Sequence, residues 1–509
     1  QPMRTGAMRR SPSSVAEDGA VEHPTAVLRE LAARVGDLEP ADRRTARRIL
    51  ARPTNGVDDA QLGVGYGGAQ TANTCDAPGG EDLNVCVHWV TEDNPHAPPA
   101  RLAPSGLPVW VETTQDVLEE VWGTIVEDLG YAEPIDDSSM PDHGPDGRPD
   151  VYLAELHDLS VPVYGYCVPE VSDPRPRRVP GYCVIDNDFV GYSGRPLADL
   201  KVTAAHEFFH LVQFAYTNQM DYWVAEGTAA WIEDEVYDDI DDNLQYLARS
   251  ALSVSQAPLD FIDPDDFNWA YGSWIWWRFL TEYLGAPGKP DTAVVRQVWQ
   301  RLAADGSPES SLQALRRVLA QRKTSFEQVF GDFGAVNRIA ASWYDEGAKY
   351  RGFVGAPSRD HTLTKARPAA DAWRLRPPAN RPRALTALRL SHLSTDHVIL
   401  RPGRGLAGRW RLRVDLDLPP RFRGSQANVM IHLRDGRVRW QGVRLNRKGD
   451  TRFVVPFNKR RVAGVVLSLT NASTRSRDCG RQLHTSPFSC GGTPLDDNLP
   501  FRYRVRALR

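Results

Sequence analysis

Apolar positions along this chain repeat with two periods, and the change of period divides it. In residues 114–130 and again from about 198 to 347, apolar side chains recur three and four apart, the spacing of one helix face. In residues 114–130, Val117, Val121, Ile125 and Leu129 share a face and Gly130 follows, which predicts a helix with a glycine stop. The same spacing predicts helices near 198–216, 222–237, 271–285, 294–304, 311–322 and 336–347. Upstream, residues 22–52 read as two short helices around the break GDLEP. LNVCVHWV (83–90), PDVYLAEL (149–156), VYGYCVPE (163–170) and GYCVIDNDF (181–189) read as strands. Beyond residue 381 the pattern alternates, as in GRWRLRVDLDL, NVMIHLR, VAGVVLSLTN and FRYRVRAL. That alternation predicts half-buried strands.

The expected class is α+β: a mixed-sheet lobe, a helical lobe and a C-terminal all-β sandwich. Residues 1–60 are expected to form a helical arm or the remnant of a pro-segment. Residues 61–217 form the α+β lobe, ending in the helix near 198–216. Residues 218–356 form the helical lobe, 357–380 a linker rich in Pro, Ala and Arg, and 381–509 the sandwich.

Charge and composition narrow the function classes. With 61 basic and 65 acidic residues among 509, the net charge of -4 gives no nucleic-acid footprint. No apolar run reaches membrane-spanning length. Six cysteines fall into three close pairs, Cys75/Cys86, Cys167/Cys183 and Cys479/Cys490, each in turn-rich sequence. An even count in local pairs predicts three disulfides, and with them a secreted, extracellular protein. The chain begins at Gln1, so its N-terminus is expected to be processed.

The candidate chemistry lies in HEFFHLVQF, residues 206–214. His206 and His210 are one helical turn apart, so both imidazoles lie on one face and can bind one zinc. Glu207 is placed to take a proton from a zinc-activated water. A three-ligand site needs one more group. DYWVAEGTAAWIEDEV offers Glu226, sixteen positions after His210 and past the turn TNQMD. Glu233, Asp234 and Glu235 are rival ligands, and Glu233 could instead accept a hydrogen bond from a ligand histidine. Gly227, Ala229 and Ala230 are small enough for close helix approach, and Trp223 and Trp231 could wall the site. Tyr271, in WAYGSW, is the candidate oxyanion donor, with Tyr216 and Tyr237 as alternatives.

With these residues in place, the chain resembles a gluzincin-type zinc metallopeptidase. The runs DVYLAEL, YGYCVPE, AAHEFFHLVQF and AEGTAAWIEDEV are similar to a group of secreted bacterial metallopeptidases, over roughly residues 80–350. The resemblance implies a zincin-like fold, zinc held by His206, His210 and Glu226, and Glu207 as general base. It departs in two places. The interval from His210 to Glu226 is shorter than in thermolysin-like members, and Ala230 stands where they carry a supporting aspartate. No Gly-x-Met-Glu-Asn exopeptidase signature is present, which favours an endopeptidase.

The expected activity is hydrolysis of protein or peptide substrates. The substrate is expected to lie along an edge strand, with residues 181–191 as the candidate. Calcium is a candidate second ion, at residues 142–150, 238–243 or 263–267. The alternative is an inactive metallopeptidase-like protein that binds or adheres through its β domain to an extracellular polymer or partner.

Overall fold

The computed structural model describes residues 24–55, 64–170, 177–263, 266–304, 309–364, 386–479 and 486–509. The N-terminal arm forms two helices, α1 (Pro24–Arg34) and α2 (Pro40–Ile49), broken at GDLEP as expected. Pro40 suits the start of α2, where a missing N–H costs nothing.

The α+β lobe is built on β1 (Thr71–Asn73), β2 (Cys86–Val90), α3 (Val109–Trp122), β3 (Asp150–Ala154), β4 (Gly165–Pro169) and β5 (Gly181–Asp186). The sheet order is β1-β2-β3-β5-β4. The central strands are parallel, and the outer strands β1 and β4 are antiparallel to their neighbours. The strand expected at the edge, within 181–191, is therefore interior. β4 returns outside β5 with Cys167 opposite Cys183, and their disulfide pins that register. β2 to β5 are buried on both faces, which is why they read as near-continuous apolar runs. α3 ends in a wide turn, and Gly130 (φ +70°) stops it where the sequence predicts.

The helical lobe follows, with α4 (Pro196–Tyr216), α5 (Tyr222–Val236), α6 (Asn268–Gly272), α7 (Trp274–Leu284), α8 (Ala293–Leu302), α9 (Ser311–Gln321) and α10 (Phe326–Val336). A single helix over 336–347 does not form. That stretch holds a 3-10 turn and two four-residue helices, Ala340–Trp343 and Gly347–Tyr350. The long helix is α10, just upstream, where Gly331 and Gly334 weaken the helical signal. Close docking of the β domain explains both glycines. A Cβ on Gly334 would lie 2.1 Å from Thr395 Oγ1, and one on Gly331 2.8 Å from Gln426 Cβ.

The C-terminal domain pairs two sheets around one core. β6 (Arg359–Leu363), in the segment expected to be a linker, joins β8 (Ser394–Pro402) in parallel. Residues 365–380 of that segment lie outside the described residues. The remaining strands are β7 (Thr386–Leu390), β9 (Arg411–Asp417), β10 (Ser425–Leu433), β11 (Val438–Gly442), β12 (Asp450–Pro456) and β13 (Val462–Asn471). β14 (Ser476–Arg477) and β15 (Thr493–Pro494) form a small ribbon, and β16 (Leu499–Leu508) ends the chain. The sheets run β11-β10-β13-β8-β6 and β12-β9-β16-β7, and Val398, Leu412, Val414, Leu467, Phe501 and Val505 fill the space between them. The outer face of the first sheet packs Ile399, Met430 and Val466 against Ala335 of α10. All three expected disulfides are formed. No helix among the described residues is long and apolar enough to cross a membrane.

A buried ion cluster ties the β domain to the helical lobe. His392 reaches Asp260 through Nε2 (2.9 Å) and Asp497 through Nδ1 (2.6 Å). Burial opposes the charge, but the two carboxylates outweigh it and raise the His392 pKa to about 9. A raised folded-state pKa stabilises fully below the ordinary histidine value, and the contribution is lost as pH rises through about 9. With Asp497 partly exposed, this is worth on the order of 2 kcal/mol. Thermal melts from about pH 6 to about pH 10 should show this loss in the native chain and not in His392→Gln.

Candidate metal centre

α4 is buried along nearly its whole length, so its histidines cannot be a solvated helix face. Its first turn is set by Pro196 and by Asp199, which accepts from Ser193 Oγ (2.6 Å). Gly165 of β4 lets the sheet lie directly on α4, since a Cβ there would sit 3.0 Å from both Glu207 Cγ and Thr203 Cγ2. After the turn at 217–221, α5 runs back beside α4. Gly227 allows the lobe to close on α5, because a Cβ there would meet Ser273 Oγ at 2.0 Å.

These helices bring together the residues expected to act together. Glu226 is fully buried, and its Oε2 lies 3.5 Å from His206 Nε2 and 3.5 Å from His210 Nε2. Two ligands bound about 2.1 Å from one tetrahedral ion lie about 3.4 Å apart, so these separations fit a shared ion. His210 Nε2 and both Glu226 oxygens are buried without a protein hydrogen-bond partner. Donor atoms of His206, Glu207 and His210 also lie within 4.8 Å of one another. Glu226 is the better third ligand, because the Glu207 carboxylate turns toward Thr25, which donates to its Oε2 (3.3 Å).

The outer nitrogens of both imidazoles are held. His206 Nδ1 meets Glu233 Oε1 at 2.6 Å, so Glu233 supports a ligand and is not one. Asp234 and Glu235 face Arg278 instead. His210 Nδ1 meets Gln213 Oε1 at 2.9 Å. Gln213 Nε2 donates to the Ala225 carbonyl (2.9 Å), which can only accept, and this fixes the amide's orientation. His210 therefore carries a proton on Nδ1, and its Nε2, the atom that faces Glu226, is the one that would bind an ion. Gln213→Ala is expected to weaken zinc affinity roughly 10–100-fold with the fold intact, measured by competition with a chromophoric chelator.

Charges among the buried groups offset part of the cost of their burial. Burial pushes the Glu226 carboxyl up, but His210 and His206 together outweigh it and hold it well below the usual range. Burial lowers His206, yet the Glu226 carboxylate beside it and its hydrogen bond to Glu233 raise it well above the ordinary histidine value. Glu207 is raised by burial, against the pull of His210 and His206. The Cys167 sulfur lies 3.2 Å from Glu207 Oε2; a disulfide sulfur has no hydrogen to donate, so this contact only excludes water.

A cleft opens over His206 and Glu207. Tyr271 lines it, its ring stacked on that of His206 (centroids 5.3 Å, interplanar 8°). Tyr216 and Tyr237 are committed elsewhere, Tyr216 accepting from the Ala132 N–H and Tyr237 donating to Glu120. Trp223 and Trp231 do not wall the cleft; both are fully buried, and Trp223 donates to Ser489 Oγ. Tyr246, Asn268 and Tyr164 line the cleft without having been singled out from sequence. The candidate calcium runs have protein partners. Asp150 binds Arg52 and His88, Asp146 binds Arg148, Asp241 binds Lys349 and Asp266 binds Arg249. Pro264 and Asp265 lie outside the described residues.

No protein-family model matches this chain, and no curated protein matches it. Among solved structures it is similar to a family GH115 4-O-methyl-alpha-glucuronidase with specificity for decorated arabinogalactans. The two are 10% identical with a TM-score of 0.14, over 75% of this chain and 54% of that one. The chain thus spans about half the length of that structure, and a likeness this low carries no argument about fold or activity.

Proposed function

We propose that this chain is a secreted, zinc-dependent endopeptidase of the gluzincin type, with a zincin-like arrangement of α4, α5 and the mixed sheet. One observation carries the proposal. A buried carboxylate oxygen sits 3.5 Å from two imidazole nitrogens, and both the carboxylate and His210 Nε2 are otherwise left without hydrogen-bond partners. Unpaired buried polar groups cost on the order of 1–3 kcal/mol each, so a bound cation accounts for a cluster that would otherwise be unfavourable. Two imidazoles and one carboxylate form a donor set suited to zinc.

His206, His210 and Glu226 would hold the zinc, which supplies Lewis acidity toward a water and a carbonyl. Glu207, beside them and low in water contact, takes the proton from the attacking water and returns it to the departing amine nitrogen. Tyr271 donates to the carbonyl oxygen as charge builds on it. Glu233 and Gln213 hold the imidazoles in the tautomers that the ligand role requires. Three disulfides favour an exported location. Chelation should remove about one zinc per chain together with casein hydrolysis, and added zinc should restore both. Hydrolysis that persists in the metal-free chain would sink this assignment.

A further inference from the structure

The N-terminal arm reaches into the candidate active site. Thr25, in the first turn of α1, is 5% exposed and 182 positions from Glu207, yet its hydroxyl donates to Glu207 Oε2 (3.3 Å). The same hydroxyl oxygen accepts the Cys167 N–H (2.9 Å). Cys167 lies directly opposite Cys183, but its N–H goes to Thr25, so it points away from β5 on the free side of edge strand β4. An extended peptide adding to β4 would place a backbone carbonyl on that N–H. Thr25 thus holds two positions that a substrate needs, the edge-strand donor and the oxygen of the general base. Pro24 and Thr25 both line the cleft.

α1 is held there by its own contacts. Arg29 reaches Met220 through Sδ (2.7 Å) and the carbonyl oxygen (3.2 Å), and its guanidinium stacks over the Tyr222 ring (4.7 Å). Tyr222 donates to Glu30 Oε2 (3.0 Å), and the Ala26 carbonyl oxygen lies 3.3 Å from the same hydroxyl. Met220 and Tyr222 belong to the turn and helix start that deliver Glu226, so α1 grips the element carrying the third ligand. Exposed residues at 36, 37 and 39 separate α1 from α2, while Arg52, just beyond α2, is anchored on Asp137, Asp150 and Glu170.

We propose that α1 is an intramolecular latch: Thr25 occupies the substrate's place between β4 and Glu207, and the groove admits an extended peptide only when α1 leaves. This rests on the peptidase assignment for its substrate class, whereas the occlusion itself rests on the contacts of Thr25. A groove closed about nine-tenths of the time lowers apparent substrate affinity about tenfold.

The test uses the full chain with a site-specific protease sequence inserted between Leu38 and Glu39, cut after purification. Two quantities are compared before and after the cut: hydrogen exchange at the Cys167 amide, and hydrolysis of labelled casein by the zinc-loaded chain. Faster exchange with hydrolysis raised about tenfold or more supports the latch, and a synthetic peptide of residues 20–37 should reverse both. Faster exchange with unchanged hydrolysis overturns it. If exchange stays slow, the cut chain carrying Arg29→Ala is used, and an α1 that still stays in place is a fixed part of the body, which overturns the latch. If neither form hydrolyses casein, the peptidase assignment fails separately. The latch is then decided by the anisotropy of a labelled casein peptide on metal-free chain, where tighter binding after the cut supports it and equal binding overturns it.

Discussion

Glu207→Gln is expected to lower peptide hydrolysis by roughly 10²–10⁴-fold or more while zinc content stays at the native level. The amide keeps the shape of the carboxylate and can still accept from Thr25, so the packing of α4 against Gly165 and the Cys167–Cys183 disulfide is undisturbed. It cannot take a proton from water. Raising the pH cannot rescue such a variant, because the missing group is the proton acceptor itself. Initial rates on labelled casein, read beside metal analysis of the same sample, give the result. Native-like hydrolysis by Glu207→Gln would remove this residue from the chemistry.

The second large effect is expected at Glu226. Glu226→Ala removes the one carboxylate equidistant from both imidazoles, leaving two histidine ligands for the ion. Zinc should be lost on dialysis and hydrolysis with it. In the metal-free chain the variant removes the carboxylate that faces both buried imidazoles and leaves a cavity, so its metal-free melting temperature should fall below the native one. Glu233→Gln makes the contrast. It keeps the zinc ligands and alters only the acceptor on His206 Nδ1, so its effect should be a partial loss of affinity.

Much of this centre is legible in the sequence, for a local reason. A one-turn spacing places His206 and His210 on one face whatever the rest of the chain does. A turn followed by small residues predicts the return of α5, and with it Glu226. Gln213 is different. It lies one turn past His210, but its orientation is set by the carbonyl of Ala225 on another helix, and no spacing rule reports that contact. Thr25 is less legible still, since its partners are 142 and 182 positions away. The edge strand could not be chosen from alternation alone, because β4 and β5 are both buried throughout and only the pairing order tells them apart. α10 escaped because the docking of the β domain demands two glycines in it, and these weaken the helical signal that the rest of the segment carries.

The proposed chemistry depends on a single ion. Crystals of the zinc-loaded chain, measured on both sides of the zinc absorption edge, should show one anomalous peak within about 2.0–2.2 Å of His206 Nε2, His210 Nε2 and a Glu226 carboxylate oxygen. An empty position between these three groups, in a chain that carries zinc elsewhere or none at all, would contradict it.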